Sequence, residues 1–489
     1  MYYPKKADAK MLSEEYAVVP VSKRLYADVK TPVEVLKILK GVSRQCFMLE
    51  SLEDSHTWGR YTFLGFDPKM ELSCTNGVLT IRNGTDITIE TPEPQTYIET
   101  ILNEYRSPKL PDMPSFTGGL VGYFSYDYIK YEEPTLNLDA KDEEGFKDFD
   151  LMLFDKVIAF DHLKQQIILI VNIKTDALEE NYAKAQFELE QMTRILLNGK
   201  PKAEEPLKLK TEFKSQFSEE TFCNMVERAK EHIFAGDIFQ VVLSNRLEAE
   251  VEGSLLDTYR VLRTINSSPY MFYFSSDDLE IAGASPETLV KLNGEDLFTF
   301  PLAGTRPRGA TPEEDAALEE ELLNDPKELA EHNMLVDLGR NDLGKISQFG
   351  TVEVERYLTI ERFSHVMHIG STVHGKIRQD KTALDAIGAV LPAGTLSGAP
   401  KIRACKIINE LEDNKRGIYG GAIGYIDFTG NMDTCIAIRI AYKKNGRVFV
   451  RTGAGIVADS QPKKEYEECL NKARAVIKAL RESEGGLNS

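Results

Sequence analysis

LMLFDKVIAFDHLKQQIILIVNI, residues 151–173, carries two apolar runs on either side of the turn DHLK. Runs rich in Leu, Ile, Val and Phe, of strand length and bounded by turn residues, read as β-strands, and the short connection makes them an antiparallel hairpin. Working outward, YTFLGFD at 61–67 reads as a further strand among polar turns, and residues from about 175 to 196 read as a helix. The chain then becomes KPKAEEPLKLKTEFKS at 200–215, a charged, Pro-containing stretch with the composition of a linker. A helix with clear start signals follows. Ser218 is placed to cap it, Glu219 and Glu220 fill its first turn, and Phe217 and Phe222 can close a hydrophobic staple. Gly236 and Asp237 turn the chain into the strand-like run IFQVVLSNRLEAEV. Strands, Gly turns and helices then alternate to about 481, with start signals at Thr311-Pro312-x-Glu314 and at Asp325-Pro326. Helices mixed with antiparallel hairpins, without regular βαβ spacing, predict an α+β fold. The linker divides it into one domain over 15–195 and another over 215–482.

The length of 489 residues is enough for more than one core, and 42% hydrophobic with 28% charged residues is the balance of a soluble globular protein. A net charge of −18 with no basic stripe argues against a nucleic-acid partner. Cysteines 46, 74, 223, 405, 435 and 469 show no CxxC spacing, so neither a zinc site nor a disulfide framework is indicated, and a reducing cytoplasm fits. The opening MYYPKKADAKMLSEEY lacks the apolar core of a signal peptide, and no apolar run reaches the length of a membrane span.

Two pairs of glutamates stand out. Glu328 and Glu331 lie in DPKELAEHNM, and Glu465 and Glu468 in QPKKEYEECL. At i,i+3 spacing each pair projects from one helix face. If the faces meet, a hard cation such as Mg2+ is the natural neutraliser, with open positions for an anionic substrate. Two solvated acidic faces are the alternative. PLAGTRPRGAT at 301–311 is a Gly- and Pro-rich turn in which Gly304 and Thr305 can offer N–H and hydroxyl groups to a carboxylate, or form a plain turn. PAGTLSGAPKIRA at 392–404 places small residues around Thr395. RTGAGIVADS at 451–460 sets Gly453, Ala454 and Gly455 between a strand and the second glutamate helix, as a possible anion cradle. Arg439, in the apolar run MDTCIAIRIAY, reads as a cation in a buried strand that needs an internal or substrate anion. Tyr419, between glycines in RGIYGGAIGY, could share that anion. His332 adjoins Glu331 but points away from it on a helix, and reads as structural. His365 and His368 in FSHVMHIG each read as a core histidine. No GxSxG, HExxH or Cys/His pair suggests covalent catalysis.

The runs GDIFQVVLSNR, GASPETLVK, PLAGTRPRG, AEHNMLVDLGRNDLG, GTLSGAPK and RTGAGIVADS closely resemble the chorismate-utilising domain of the anthranilate synthase large-subunit family, over 215–482. Residues from about 15 to 170 resemble its N-terminal domain. The resemblance implies antiparallel sheets packed as an α/β/β/α sandwich. It implies Mg2+ held by Glu331 and Glu468, with Glu328 and Glu465 one turn earlier completing the shell. The metal would neutralise the ring carboxylate of chorismate together with the backbone of 453–455. Tyr419 and Arg439 would hold the enolpyruvyl carboxylate, and Gly304 and Thr305 would line the pocket. Glu287, in ASPET, would protonate the departing C4 hydroxyl as ammonia attacks C2. Loss of pyruvate and of the C2 proton then yields anthranilate, with His368 and Thr395 positioning groups for that stage. Sister enzymes that use a covalent lysine carry PIKGT where this chain has PLAGT with Ala303, and isochorismate-forming ones place a water-activating lysine where Gln240 stands.

CFMLESLED resembles the family's tryptophan feedback site, with Ser51 as a contact residue. Pro269, Tyr270 and Met271 of NSSPYMFYF would line the same pocket, although Ser267 stands where the family commonly has proline. The chain shows no glycine-flanked cysteine of a glutaminase, so the resemblance implies a separate glutamine amidotransferase subunit in a heteromeric assembly. Two alternatives accompany this reading: aminodeoxychorismate synthase, which retains the enolpyruvyl group, and a non-catalytic tryptophan-sensing subunit.

Overall fold

The computed structural model describes residues 2–28, 30–52, 59–363 and 366–487. His365 lies outside them. Two antiparallel sheets pack face to face with helices on both outer faces, an α+β sandwich as expected. The layer between the sheets is aromatic-rich. Phe47, Phe63, Phe272 and Phe449 from one sheet meet Tyr123, Phe154, Ile423 and Cys435 from the other. On one outer face, helices Leu178–Asn198, Leu256–Ile265 and Pro462–Glu482 bury Leu189, Leu262 and Val476. On the other, helices Ala383–Val390 and Pro326–Gly344 bury Ile387 and Val336.

The hairpin at 151–173 exists, but the apolar run LMLFDKVIAF is two strands rather than one. Phe149–Phe154 belongs to the second sheet and Lys156–Asp161 to the first, with Asp155 at the crossing. The same step recurs in the C-terminal half, where Met432–Ile436 lies in the second sheet and Ile440–Lys444 in the first. It occurs once more in each half. Strand Tyr61–Phe66 crosses to Met70–Thr75, and Glu280–Ser285 crosses to Thr288–Asn293. The halves thus repeat one strand plan.

They are also joined strand to strand. Cys46–Glu50 pairs with Tyr270–Ser275 in the first sheet, and Gly119–Phe124 with Ala422–Asp427 in the second. At the second seam GGLVGYF faces GGAIGYI, with Gly122 opposite Gly424. A side chain at either glycine would run into a neighbouring strand, at the Asp150 or Asp433 carbonyl. The 200–215 stretch is not a free tether. Lys208–Leu209 and Lys214–Ser215 pair along strand Gln240–Glu252 and cover part of its edge, as an exposed edge requires.

The helix starts behave as their residues dictate. Ser218 accepts from the Thr221 N–H, and Asp325 accepts from those of Lys327 and Glu328. At the start between them, Thr311 accepts from Glu314 N–H, but the Glu314 carboxylate turns to Ala310 N–H, leaving half a capping box.

Candidate active site

The two crossings of the C-terminal half carry two of the candidate site residues. Glu287 sits on the step between Glu280–Ser285 and Thr288–Asn293. Arg439 sits on the step between Met432–Ile436 and Ile440–Lys444 with φ +55, not inside the continuous strand that its apolar neighbours suggest.

Glu287 is buried, and its carboxyl accepts from the Thr395 hydroxyl at 3.2 and 3.3 Å. Burial drives its pKa up to about 8, against smaller opposing effects of the Thr395 hydrogen bond and the Lys472 charge. Thr395 lies in a short 3-10 turn, Gly394–Leu396, as the small residues around it permit.

Arg439 donates to the Lys472 carbonyl at 2.7 Å, and among the described residues its guanidinium forms no ion pair. Burial lowers its proton affinity, partly offset by Tyr419 and Glu468. A desolvated cation without a counter-ion is poised for an anionic ligand.

Residues 453–455 are not a turn. They continue strand Arg447–Ile456 and face Val242, Leu243 and Ser244. Pairing with Ile440–Lys444, on the other side, stops at Phe449. Beyond that point alternate N–H groups look away from the ladder with strand Gln240–Glu252. The glycines are there for close approach. A Cβ on Gly453 would meet the Leu243 carbonyl at 2.8 Å and the Tyr419 hydroxyl at 3.0 Å, and one on Gly455 the Gln240 amide nitrogen at 2.6 Å.

His368 lies opposite Thr305 in the ladder between Val366–Lys376 and Leu302–Pro307, where a bulge falls at Gly304. Its Nδ1 is 2.9 Å from the Gly304 carbonyl and 3.0 Å from the Thr305 hydroxyl. A carbonyl only accepts, so Nδ1 carries a proton and Nε2 is left as the acceptor. Burial pulls the His368 pKa down. Gly304 has φ +69, and a side chain on it would press on the Glu328 carboxylate at 3.1 Å. His332 is structural, as expected. It is fully buried, bonded to Ser371 at 2.7 Å, and burial holds its pKa at about 4.

The charges of the two glutamate pairs reach one another. Burial raises the Glu331 pKa, and the charges of Glu328 and Glu468 raise it further. Burial likewise raises that of Glu465, with Glu468 adding to it. Glu468 is paired with Lys472 at 2.6 Å, and Glu328 lies 3.5 Å from Arg306. Carboxylates that raise one another's pKa are oxygen donors of the hard type that Mg2+ takes, so their chemistry suits that ion, but no three of the four lie within 4.8 Å of one another. The one group of three ligating side chains already within 4.8 Å of each other, among the described residues, is a different one, consistent with a divalent-metal site: Glu353, Glu355 and His374.

Lys472 escaped the sequence reading. Besides pairing with Glu468, it donates to the Gly453 carbonyl at 3.0 Å, and its charge reaches Glu287, Glu331 and Glu465. Its signal was the i,i+4 spacing from Glu468 on the same helix face.

The expected effector segments also meet. Met271 faces Glu50, and Leu52 N–H donates to the Ser268 carbonyl just beyond Ser51. Pro269 and Leu52 line a cavity of about 560 Å3 that continues to Pro286 and Thr288, the two neighbours of Glu287. The Tyr270 hydroxyl is bonded to Thr288 and Asp433.

The family described as chorismate binding enzyme matches residues 44–478. Anthranilate synthase component 1 of Acetivibrio thermocellus is 46% identical over 99% of each chain, and that of Acinetobacter calcoaceticus is 46% identical over 96% of this chain and 97% of its own. The crystal structure of anthranilate synthase component I from Streptococcus pneumoniae TIGR4 aligns with TM-score 0.77 and 39% identity, covering 93% of this chain and 99% of that one. The menaquinone-specific isochorismate synthase of Escherichia coli shares the fold at TM-score 0.70 and 18% identity, covering 97% of this chain and 98% of its own. Identity at the level of the first two, sustained from end to end, makes this chain a member of the anthranilate synthase component I family of chorismate-binding enzymes.

Proposed function

We propose that the chain converts chorismate and ammonia to anthranilate and pyruvate, as the large subunit of an anthranilate synthase. The observation that carries the chemistry is Glu287, a buried carboxyl whose pKa of about 8 keeps it protonated at neutral pH. Hydroxide is a poor leaving group, and such an acid can deliver a proton to the C4 oxygen as it departs. Thr395 orients that carboxyl. Arg439 and Tyr419 bind the enolpyruvyl carboxylate, and the outward N–H groups of 453–455 bind the ring carboxylate. Gly304 and Thr305 line the pocket and, through Nδ1, hold His368 with Nε2 free to accept a proton in the pyruvate-releasing stage. Bound Mg2+, held by Glu331 and Glu468 with Glu328 and Glu465 behind them, would supply positive charge for the ring carboxylate. Ala303 has no amine to form a covalent adduct. The Gln240 amide cannot take a proton from water at neutral pH, which leaves ammonia as the nucleophile.

Ammonia would come from a glutamine amidotransferase subunit. Tryptophan would bind at Ser51, Pro269, Tyr270 and Met271, and of these Pro269 lines the cavity that reaches both neighbours of Glu287. Residues 15–195 would be the regulatory part and 215–482 the catalytic part. No helix among the described residues is long and apolar enough to cross a membrane. The six cysteines form no disulfide, and the location proposed is the cytoplasm.

Purified chain mixed with chorismate, MgCl2 and an ammonium salt at mildly alkaline pH is expected to develop anthranilate fluorescence. Chelator should abolish the signal, and Mg2+ alone should restore it. Chorismate consumed to a product that keeps its enolpyruvyl group would replace this reading with aminodeoxychorismate synthesis. Untouched chorismate in a folded sample would overturn it. In the same assay, Arg439→Lys is expected to raise the KM for chorismate by roughly 10- to 100-fold with a smaller change in kcat. The ammonium keeps the charge but loses the bidentate fork that suits a carboxylate. An unchanged KM would remove Arg439 from the binding site.

A further inference from the structure

Strand Glu353–Arg362 enters its ladder with Glu353 opposite His374 and Val354 opposite Val373, but the next pair is Arg356 with Thr372. Glu355 is therefore the extra residue of a bulge, a device that re-aims side chains. Both carboxylates come to His374, with Glu353 Oε1 at 3.5 Å and Glu355 Oε1 at 3.4 Å from Nδ1. One donor atom from each of the three residues lies within 4.8 Å of the others.

The imidazole is fixed from behind. Its Nε2 is 3.0 Å from Asp296 Oδ1, and its ring packs on Phe298 at 4.9 Å between centroids. His374 is only 9% exposed, and its Nδ1 makes no hydrogen bond. A carboxylate accepts, so Nε2 holds the ring proton in the neutral form, and the Nδ1 lone pair points at two anionic groups. That is an unfavourable meeting unless a cation sits between them. A histidine whose far nitrogen is held by a carboxylate is the outer-shell pattern of metal-ligating imidazoles. A ring nitrogen with two carboxylates suits Zn2+ and its neighbours rather than Mg2+, which prefers oxygen and water.

We propose that Glu353, Glu355 and His374 form a binding site for one transition-metal divalent cation of the Zn2+ type, separate from the glutamates of the candidate active site. His374 is six positions along the strand from His368, roughly 20 Å at the strand rise. The other end of the bulged strand places Glu361 opposite His368. A bound ion would brace the far end of the strand that flanks that histidine.

The test uses the full chain, stripped by chelator and titrated with ZnCl2, CoCl2 or MgCl2 against a chromophoric competitor. One equivalent of Zn2+ is expected to bind at least tenfold more tightly than Mg2+, and Co2+ to show the visible absorption of a nitrogen-containing site. Glu353→Gln/Glu355→Gln, at two exposed positions, should abolish that equivalent in a sample shown to be folded by circular dichroism, as should His374→Asn. Glu331→Gln/Glu468→Gln should retain it. Binding lost in the Glu331/Glu468 variant instead, Mg2+ binding as tightly as Zn2+, or no saturable binding each overturns the proposal. The last outcome would mean that a proton on Nδ1 is the cation between the carboxylates. Because the readout is metal binding, these results stand apart from the anthranilate assay.

Discussion

Glu287→Gln is expected to lower ammonia-dependent anthranilate turnover by about 10²- to 10⁴-fold, the range of a lost general acid. The amide keeps the shape and the Thr395 contact but has no acidic proton to give. The same substitution is expected to stabilise the protein at high pH. Burial raises the folded-state pKa of Glu287 to about 8, above the ordinary 4.5. Between those values the folded chain holds a proton that the unfolded chain has lost, so stability falls as pH rises through that window. Glutamine carries no such penalty. The advantage of the variant should be absent near pH 4, open through the window and level off above pH 8, at no more than about 5 kcal/mol by the usual 1.36 kcal/mol per unit. Steady-state rates and thermal melts at pH 5, 7 and 9 check both halves. Wild-type turnover in the variant would end the general-acid assignment, and parallel melts would end the burial argument.

Glu412→Gln is expected to cost about 3–5 kcal/mol of stability, the range for breaking a buried ion pair from one side. Glu412, Arg416 and Arg451 are buried together, with the carboxylate 2.6 Å from Arg416 and 2.8 Å from Arg451. Glu412 also accepts from the N–H and hydroxyl of Ser244. Removing its charge leaves two buried guanidinium groups without their shared counter-ion. The network also shapes the site. Arg416 donates to the carbonyls of Leu396, beside Thr395, and Val242, while Arg451 stands two positions before Gly453. The variant should therefore lose kcat/KM under conditions where it remains folded. Urea melts decide the first claim, and a change in stability below about 1 kcal/mol would refute it. Unaltered kinetics in the folded variant would refute the second.

Much of this molecule was legible without coordinates, for reasons specific to each part. Helix starts at Ser218 and Asp325 are set by side chains a few residues from the groups they satisfy, so short windows of sequence report them. The i,i+3 glutamates are likewise local, and so is the i,i+4 spacing from Glu468 that marks Lys472, although that residue was missed. The sheet crossings are not. Nothing within IAIRIA distinguishes a strand that runs straight from one that breaks at Arg439, because the break is imposed by which partner strand each end finds. The small residues at 453–455 read equally well as a turn or as a strand pressed against Gln240 and Tyr419. Glu353, Glu355 and His374 come together only through a bulge in a long-range ladder, and the buried charges of Glu412, Arg416 and Arg451 only through packing of three separate segments.

The two seams bear on how the chain is made. Strand Cys46–Glu50 waits for Tyr270–Ser275, and Gly119–Phe124 for Ala422–Asp427. On the ribosome, the first two hundred residues therefore emerge with two unfinished sheet edges, and the second seam closes only when the chain is nearly complete. Contacts of such sequence separation form slowly, and exposed edges invite pairing with other nascent chains. Cutting at the 200–215 stretch would not release two self-sufficient pieces. Each fragment would present the raw edges that the other normally covers, so the halves depend on each other for solubility as well as for catalysis.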